Sequence, residues 1–181
     1  MNNGVIFQKR ENRTYQGVDG DNWYLNELYP DSFEGYFENK IELSWRDDSY
    51  VDVCNDPEYI NEYIRVSTEN KIDYRIILCC TDNKLPDGSN IMWGEKLFLG
   101  YDYAYSGGSY YSAIYNELHF ERLDEYKNIL LNKFGLLDSK QEMNRYLEIR
   151  NGLLERGCNL ELGDFVIFEL YEIEKDGIFL K

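Results

Sequence analysis

One histidine, His119, carries all the imidazole chemistry open to this chain. It lies in Asn116-Glu117-Leu118-His119-Phe120-Glu121, where no serine or cysteine motif supplies the partner that a nucleophile–base pair needs. A surface or helix-start histidine is therefore expected. The four cysteines, Cys54, Cys79, Cys80 and Cys158, show no C-x-x-C spacing and no adjacent histidine that would complete a zinc set. Cys79 and Cys80 close the apolar run Ile76-Ile77-Leu78-Cys79-Cys80. Neighbours on a strand point to opposite faces, so both are expected as buried free thiols, which fits a reducing compartment. Asp19-Gly20-Asp21-Asn22 has the residue types of a calcium loop without its ligand spacing or distal glutamate, and reads as a turn. Neither the phosphate loop G-x-x-x-x-G-K-[ST] nor the dinucleotide fingerprint G-x-G-x-x-G is present. With 34 aspartates and glutamates, carboxylate pairs arise by chance, so none picked from the sequence identifies a two-carboxylate site. The expectation is a protein with no catalytic residue, no cofactor and no metal.

The abundant residue types point to binding. Thirty-four acids against 19 bases leave a net charge of −15, with a pI near 4.4. The excess is uneven: residues 11–62 hold 14 acids and three bases. Within that stretch Asp47, Asp48 and Asp52 fall in Trp45-Arg46-Asp47-Asp48-Ser49-Tyr50-Val51-Asp52, which reads as a turn between strands and forms a candidate partner-facing patch; a merely solvated surface is the alternative. The second feature is Tyr101-Asp102-Tyr103-Ala104-Tyr105-Ser106-Gly107-Gly108-Ser109-Tyr110-Tyr111-Ser112-Ala113-Ile114-Tyr115, in a chain of 17 tyrosines. Tyrosine offers large rigid contact area at low entropic cost, and Ser and Gly adapt around it. Alternation puts Tyr101, Tyr103 and Tyr105 on one strand face and Asp102 on the other. Tyr105, Tyr110 and Tyr111 flank Gly107-Gly108 and are expected to stand clear of the sheet. The competing expectation is that these rings cover the sheet edge or pack under a helix. Tyrosine clusters also stack sugars or single-stranded bases, but an acidic chain repels phosphate, so no direct nucleic-acid partner is expected.

The elements that must position these residues are legible from period and caps. A length of 181 residues, 43% hydrophobic, suits a single globular domain, 1–181. Strands are predicted at 5–9, 36–45, 73–80, 96–103 and 165–173. The 73–80 and 96–103 strands are expected to pair across a long loop, 81–90, in the middle of the sheet. Asp56 followed by Pro57 starts a helix that ends near Asn70, carrying Ile60, Tyr63 and Ile64 on one face. Leu123, Tyr126, Ile129, Leu130 and Phe134 predict a second helix, with Gly135 as its stop. Ser139-Lys140-Gln141-Glu142 is a capping box that opens a third, whose face runs through Met143, Tyr146, Leu147, Leu153 and Leu154 to Gly157. The expected class is α+β, a mostly antiparallel sheet with about three helices packed on one face. The amino terminus lacks a basic start and apolar run, and no stretch is long enough to span a bilayer, so a soluble cytoplasmic protein is expected.

The strand end Leu99-Gly100-Tyr101-Asp102-Tyr103, leading to Gly107-Gly108-Ser109-Tyr110-Tyr111-Ser112-Ala113-Ile114, resembles segments of small acidic bacterial immunity proteins of polymorphic toxin systems. The resemblance implies a cytoplasmic protein that binds a cognate toxin stoichiometrically and has no catalytic residues of its own. Electrostatics leads the same way, because a nuclease toxin must be basic to hold nucleic acid and an acidic inhibitor is steered to it. The residues expected to meet such a basic protein partner are Asp47, Asp48, Asp52, Tyr101, Asp102, Tyr103, Tyr105, Tyr110 and Tyr111. Two alternatives stand beside this one. A phage-encoded inhibitor or nucleic-acid mimic acting on a host defence nuclease requires a continuous track of carboxylates. An enzyme acting on a small molecule or glycan requires a concave pocket with convergent carboxylates.

Overall fold

The computed structural model of the protein describes residues 4–9, 51–52, 60–61, 64–65, 68–69, 74–81, 91–105, 109–121, 123–173 and 178–180. Where β-branched and aromatic residues concentrate, the chain forms strands. They are β1 (Gly4–Lys9), β2 (Val51–Asp52), β3 (Tyr74–Cys80), β4 (Ile91–Trp93), β5 (Lys96–Tyr105), β6 (Ser109–Tyr110), β7 (Phe165–Ile173) and β8 (Ile178–Leu180). Four of them make an antiparallel sheet in the order β1-β3-β7-β5. β4 pairs with β8, and β2 with β6, as two-stranded ribbons. The α+β expectation matches this antiparallel sheet with helices. Predicted strands at 5–9, 73–80, 96–103 and 165–173 fall on β1, β3, β5 and β7.

The pairing differs from the expected one. β3 and β5 do not meet, because β7 lies between them. Phe165-Val166-Ile167-Phe168-Glu169-Leu170-Tyr171-Glu172-Ile173 is largely apolar on both faces, and a strand of that kind loses most when it is left at an edge. Central placement buries Phe168, Leu170 and Ile173. β3 and β5 are separated by residues 81–95, too many for the pairing to be set by a tight connection alone, and β7 takes the place between them.

Both sheet faces carry buried side chains. Ile6, Ile77, Cys79, Ala104, Phe168 and Leu170 form one core with Leu99, Tyr110 and Leu136. On the opposite face Tyr101 and Tyr103 pack against a second core made by Ile114, Tyr126, Leu137, Met143, Tyr146 and Leu153. The Lys140–Glu155 helix supplies much of that second core, and its caps are those expected. Ser139 Oγ accepts from the Glu142 N–H at 3.2 Å, and the Glu142 carboxylate accepts from the Asp138 N–H at 3.0 Å. At the other end Cys158 N–H donates to Leu153 O and Gly157 N–H to Leu154 O, with Gly157 at φ 80°, a Schellman closure.

The helix expected at 123–134 is absent. Asp124–Tyr126 forms a single 3-10 turn, and the chain then runs irregularly to Leu137. Asn132 explains the change. Its Oδ1 accepts from the N–H groups of Phe134 and Leu136, while its Nδ2 donates to Leu99 O and to Asp138. Side-chain bonds of this type replace the helical ladder with a turn. Leu130, predicted on an apolar face, is 75% exposed as a result. Leu137 instead exchanges backbone hydrogen bonds with Tyr101 and covers part of the outer edge of β5. In the helix predicted from Asp56, residues 60, 61, 64, 65, 68 and 69 are helical, with Ile60 and Ile64 buried. The predicted strand at 36–45, the Asp19–Asn22 turn, Cys54, and Asp47 and Asp48 lie outside the described residues. No described helix is long and apolar enough to cross a membrane.

Candidate functional site

The tyrosine segment is split by the pleat of β5. Tyr101, Tyr103 and Tyr105 share one face and are half-buried, as alternation predicts, while Asp102 and Ala104 turn to the other and are buried. Two expected partner contacts are therefore corrected. Asp102 is 1% exposed and Tyr110 is 6% exposed, so neither presents its side chain to a partner. Their burial has one cause, since a carboxylate placed inside the first core must find donors. The Tyr110 hydroxyl donates to Asp102 Oδ2, Ser112 Oγ donates to Oδ1 at 2.7 Å, and the Tyr103 N–H donates to Oδ1 at 2.8 Å. Burial pushes the Asp102 pKa up to about 6 against the pull of these three donors. Burial likewise raises Tyr110, helped by the Asp102 charge, and holds it protonated as a donor.

On the opposite face a second polar cluster ties the helix to the sheet. After Ser112 caps a short helix, Ala113–Tyr115, the chain widens into a π-helical turn, Asn116–Glu121. Glu117, 1% exposed, is carried inward on that turn. Its Oε1 accepts from Arg150 Nε at 2.9 Å, and its Oε2 accepts from the hydroxyls of Tyr126 and Tyr146 at 2.6 and 2.7 Å. Arg150 also donates to Glu161 O, and its guanidinium lies 5.4 Å from the Tyr103 ring and 5.6 Å from the Phe165 ring. Burial opposes the Arg150 charge, but the adjacent Glu117 outweighs it and raises the Arg150 pKa. Burial and Glu117 push Tyr146 well up. Every polar contact of Glu117 thus serves to join the helix and turns. His119 sits in the same π-helical turn, its side chain outside what the structure describes.

One group of partly open aromatic rings gathers around Phe165 at the start of β7. Tyr103 stacks on it at 5.5 Å, Tyr105 meets it edge-on at 6.0 Å, and Tyr111 lies 6.4 Å away. Gly163 allows the preceding loop to approach these rings: a Cβ there would stand 3.1 Å from Phe165 Cε2 and 3.4 Å from Tyr105 Cδ2. The loop exposes Glu161, Leu162 and Asp164, and Leu162 is the most exposed large hydrophobic residue described, at 77%. Phe165, Leu162, Glu161 and Asp164 are not among the residues expected at a partner surface. Leu162 between two acids was visible, but its adjacency to the tyrosines depends on β5 pairing with β7.

Tyr101 belongs to a different group. Its ring meets Phe98 at 5.1 Å, Phe98 meets Tyr171 at 5.4 Å, and the Tyr171 hydroxyl donates to Glu169 Oε2 at 3.0 Å. Lys140 Nζ reaches Glu169 Oε1 at 2.9 Å, so this group fastens the start of the long helix to the sheet. Asp52 lies in β2 opposite Ser109, which ties the acidic stretch to the tyrosine segment through the β2–β6 ribbon. Cys79 and Cys80 are free and buried as expected. Burial lifts Cys79 well above the usual thiol range and Cys80 to about 11, which keeps both in the unreactive thiol form. Among the described residues no group of three or more His, Cys, Asp or Glu is placed to hold a metal ion. No protein-family model, curated protein or solved structure matches the chain, so the chemistry of these residues is what bears on its function.

Proposed function

We propose that this chain is a non-catalytic binding protein of the immunity type, which neutralises a basic toxin, such as a nuclease, by stoichiometric occlusion. The observation that carries the reading is the half-buried Tyr103–Tyr105–Tyr111–Phe165 group beside a loop exposing Glu161, Leu162 and Asp164, in a chain of net charge −15. Long-range attraction would speed encounter with a basic surface, and aromatic anchors would slow dissociation. Asp52 lies in β2, whose backbone pairing with β6 joins the acidic stretch to the tyrosine segment.

The direct test is to express the product of the adjacent gene alone and together with this chain. Growth arrest relieved by co-expression supports the reading, and arrest that persists despite a soluble, folded chain refutes it. With a purified partner, Tyr105→Ala and Tyr111→Ala are each expected to weaken binding by about 2 kcal/mol, the usual threshold for an anchor. The Glu161→Lys, Asp164→Lys double variant should mainly slow association, and the parent rate should fall as salt rises, because screening acts over about 8 Å at physiological ionic strength. Stopped-flow association and calorimetric titration report the two effects separately. An unchanged rate in the double variant would remove this loop from the interface.

A further inference from the structure

We propose that the cavity between the π-helical turn and the 123–131 stretch binds a free hydrophobic α-amino acid, whose side chain enters among leucines while Lys127 meets its carboxylate and Asp124 its ammonium group. The site shares no residue with the Tyr103–Tyr105–Tyr111–Phe165 group and does not depend on a protein partner.

The cavity follows from two departures from regular helix. Asn116–Glu121 is wound as a π-helical turn, a form that gathers at functional sites, and it contributes Leu118 to the lining. The chain beyond it makes one 3-10 turn and then runs irregularly, so Leu123, Ile129 and Leu131 line the same space. Leu118, Leu123 and Leu131 are only half-buried. Tyr126 completes the lining and is held before any ligand arrives: its hydroxyl donates to Glu117 Oε2 at 2.6 Å, and its ring stacks on Tyr146 at 5.5 Å. A wall fixed in this way need not be ordered on binding. The volume, about 320 Å³, lies at the small end of ligand pockets, which span about 300–1,000 Å³, and suits a single amino acid.

The two charged residues on the lining choose the ligand class. Asp124 and Lys127 are three apart across the 3-10 turn, where the Lys127 N–H donates to Asp124 O at 3.2 Å and side chains at this spacing stand one above the other. Both line the cavity and both are exposed. Among the described residues neither side chain makes a hydrogen bond or ion pair, whereas the neighbouring Glu125 is taken by Arg156 at 2.7 Å. An unpaired anion and cation beside an apolar space complement a molecule with both charges at one end and an apolar body at the other. A fatty acid would satisfy Lys127 but bring its carboxylate to Asp124, and a chain of net charge −15 repels free anions at long range. A zwitterion meets neither objection.

Methyl NMR of Leu118, Leu123, Ile129 and Leu131 tests the site, with phenylalanine as the probe. Phenylalanine should shift these methyls saturably, with a dissociation constant under about 1 mM. 3-Phenylpropionate, which lacks the amine, and phenethylamine, which lacks the carboxylate, should each bind about tenfold more weakly, and glycine should leave the methyls unmoved. Asp124→Asn should weaken phenylalanine about tenfold without weakening 3-phenylpropionate, and Lys127→Met should do the same without weakening phenethylamine. Because both side chains are exposed and unbonded, each variant should melt with the parent. No saturable shift up to about 10 mM phenylalanine would overturn the proposal. Equal binding of phenylalanine and either half-molecule, or tighter binding of 3-phenylpropionate, would overturn it as well, since the charged pair would then not select the ligand.

Discussion

Replacing Arg150 with methionine should lower the free energy of unfolding by about 3–5 kcal/mol, the loss expected when one partner of a buried ion pair is removed. Arg150 and Glu117 are both almost fully buried, with side chains 5% and 1% exposed, so solvent cannot screen what is left. Methionine keeps the apolar stem that lies against Tyr103 and Phe165 and removes the charge and two hydrogen bonds, to Glu117 and to Glu161 O. Glu117 would then stand in the second core supported only by the hydroxyls of Tyr126 and Tyr146. The cost comes from the stranded charge more than from the lost attraction. The double variant Arg150→Met, Glu117→Gln should therefore recover a large part of the loss, since the amide still accepts from the tyrosines and carries no charge. Urea denaturation of the parent, both single variants and the double variant measures this cycle. A single-variant loss under about 1 kcal/mol, the scale of an exposed pair, would mean that water reaches Glu117.

Gly100→Ala should destabilise by about 3 kcal/mol or more, combining backbone strain with overpacking, each worth about 1–3 kcal/mol. Gly100 has φ +147°, a conformation that L side chains rarely adopt, at an irregularity in β5 between Phe98 and Gly100. An added Cβ would stand 2.6 Å from Leu136 Cβ and 2.8 Å from Leu137 O. The second of these is backbone, held by the paired hydrogen bonds between Tyr101 and Leu137, and cannot swing aside. Gly152→Ala is the matched control. Nothing lies within 4 Å of a Cβ there, and the position is inside the Lys140–Glu155 helix, so alanine should stabilise by up to about 1 kcal/mol. Thermal melts of the two variants should move in opposite directions. A Gly100→Ala melt at or above that of the parent would show that the 132–137 stretch is not packed on β5.

The extent of the sequence's own authority is clearest where a signal is local. β1, β3, β5 and β7 could be placed because β-branched density and alternation act over a few residues, and the Lys140–Glu155 helix because its capping box and closing glycine sit at its own ends. The same locality fixed the face shared by Tyr101, Tyr103 and Tyr105. Locality failed at 123–134, where an apolar period suited a helix but Asn132 found better hydrogen-bond partners in Leu99 and Asp138. Strand order was likewise beyond a local reading. A strand takes the centre when it is apolar on both faces and a long-range partner can reach it, and β7, some 60 residues beyond β5 in sequence, met both conditions for β3 and β5 at once.

The sequence by itself determined composition, charge, the strands β1, β3, β5 and β7, the Lys140–Glu155 helix with its caps, and the split of β5 into two faces. Only the tertiary structure decided which tyrosines are open. Tyr110 looked as free as Tyr111 from its position beside Gly107-Gly108, yet it is drawn inward because Asp102, buried on the far face of β5, requires a donor. Tyr105 and Tyr111 stay near the surface because Phe165 arrives beside them on β7. The physical reason is the same in both cases. Burial and hydrogen-bond satisfaction belong to groups distant in the chain, and their balance exists only after the strands have paired.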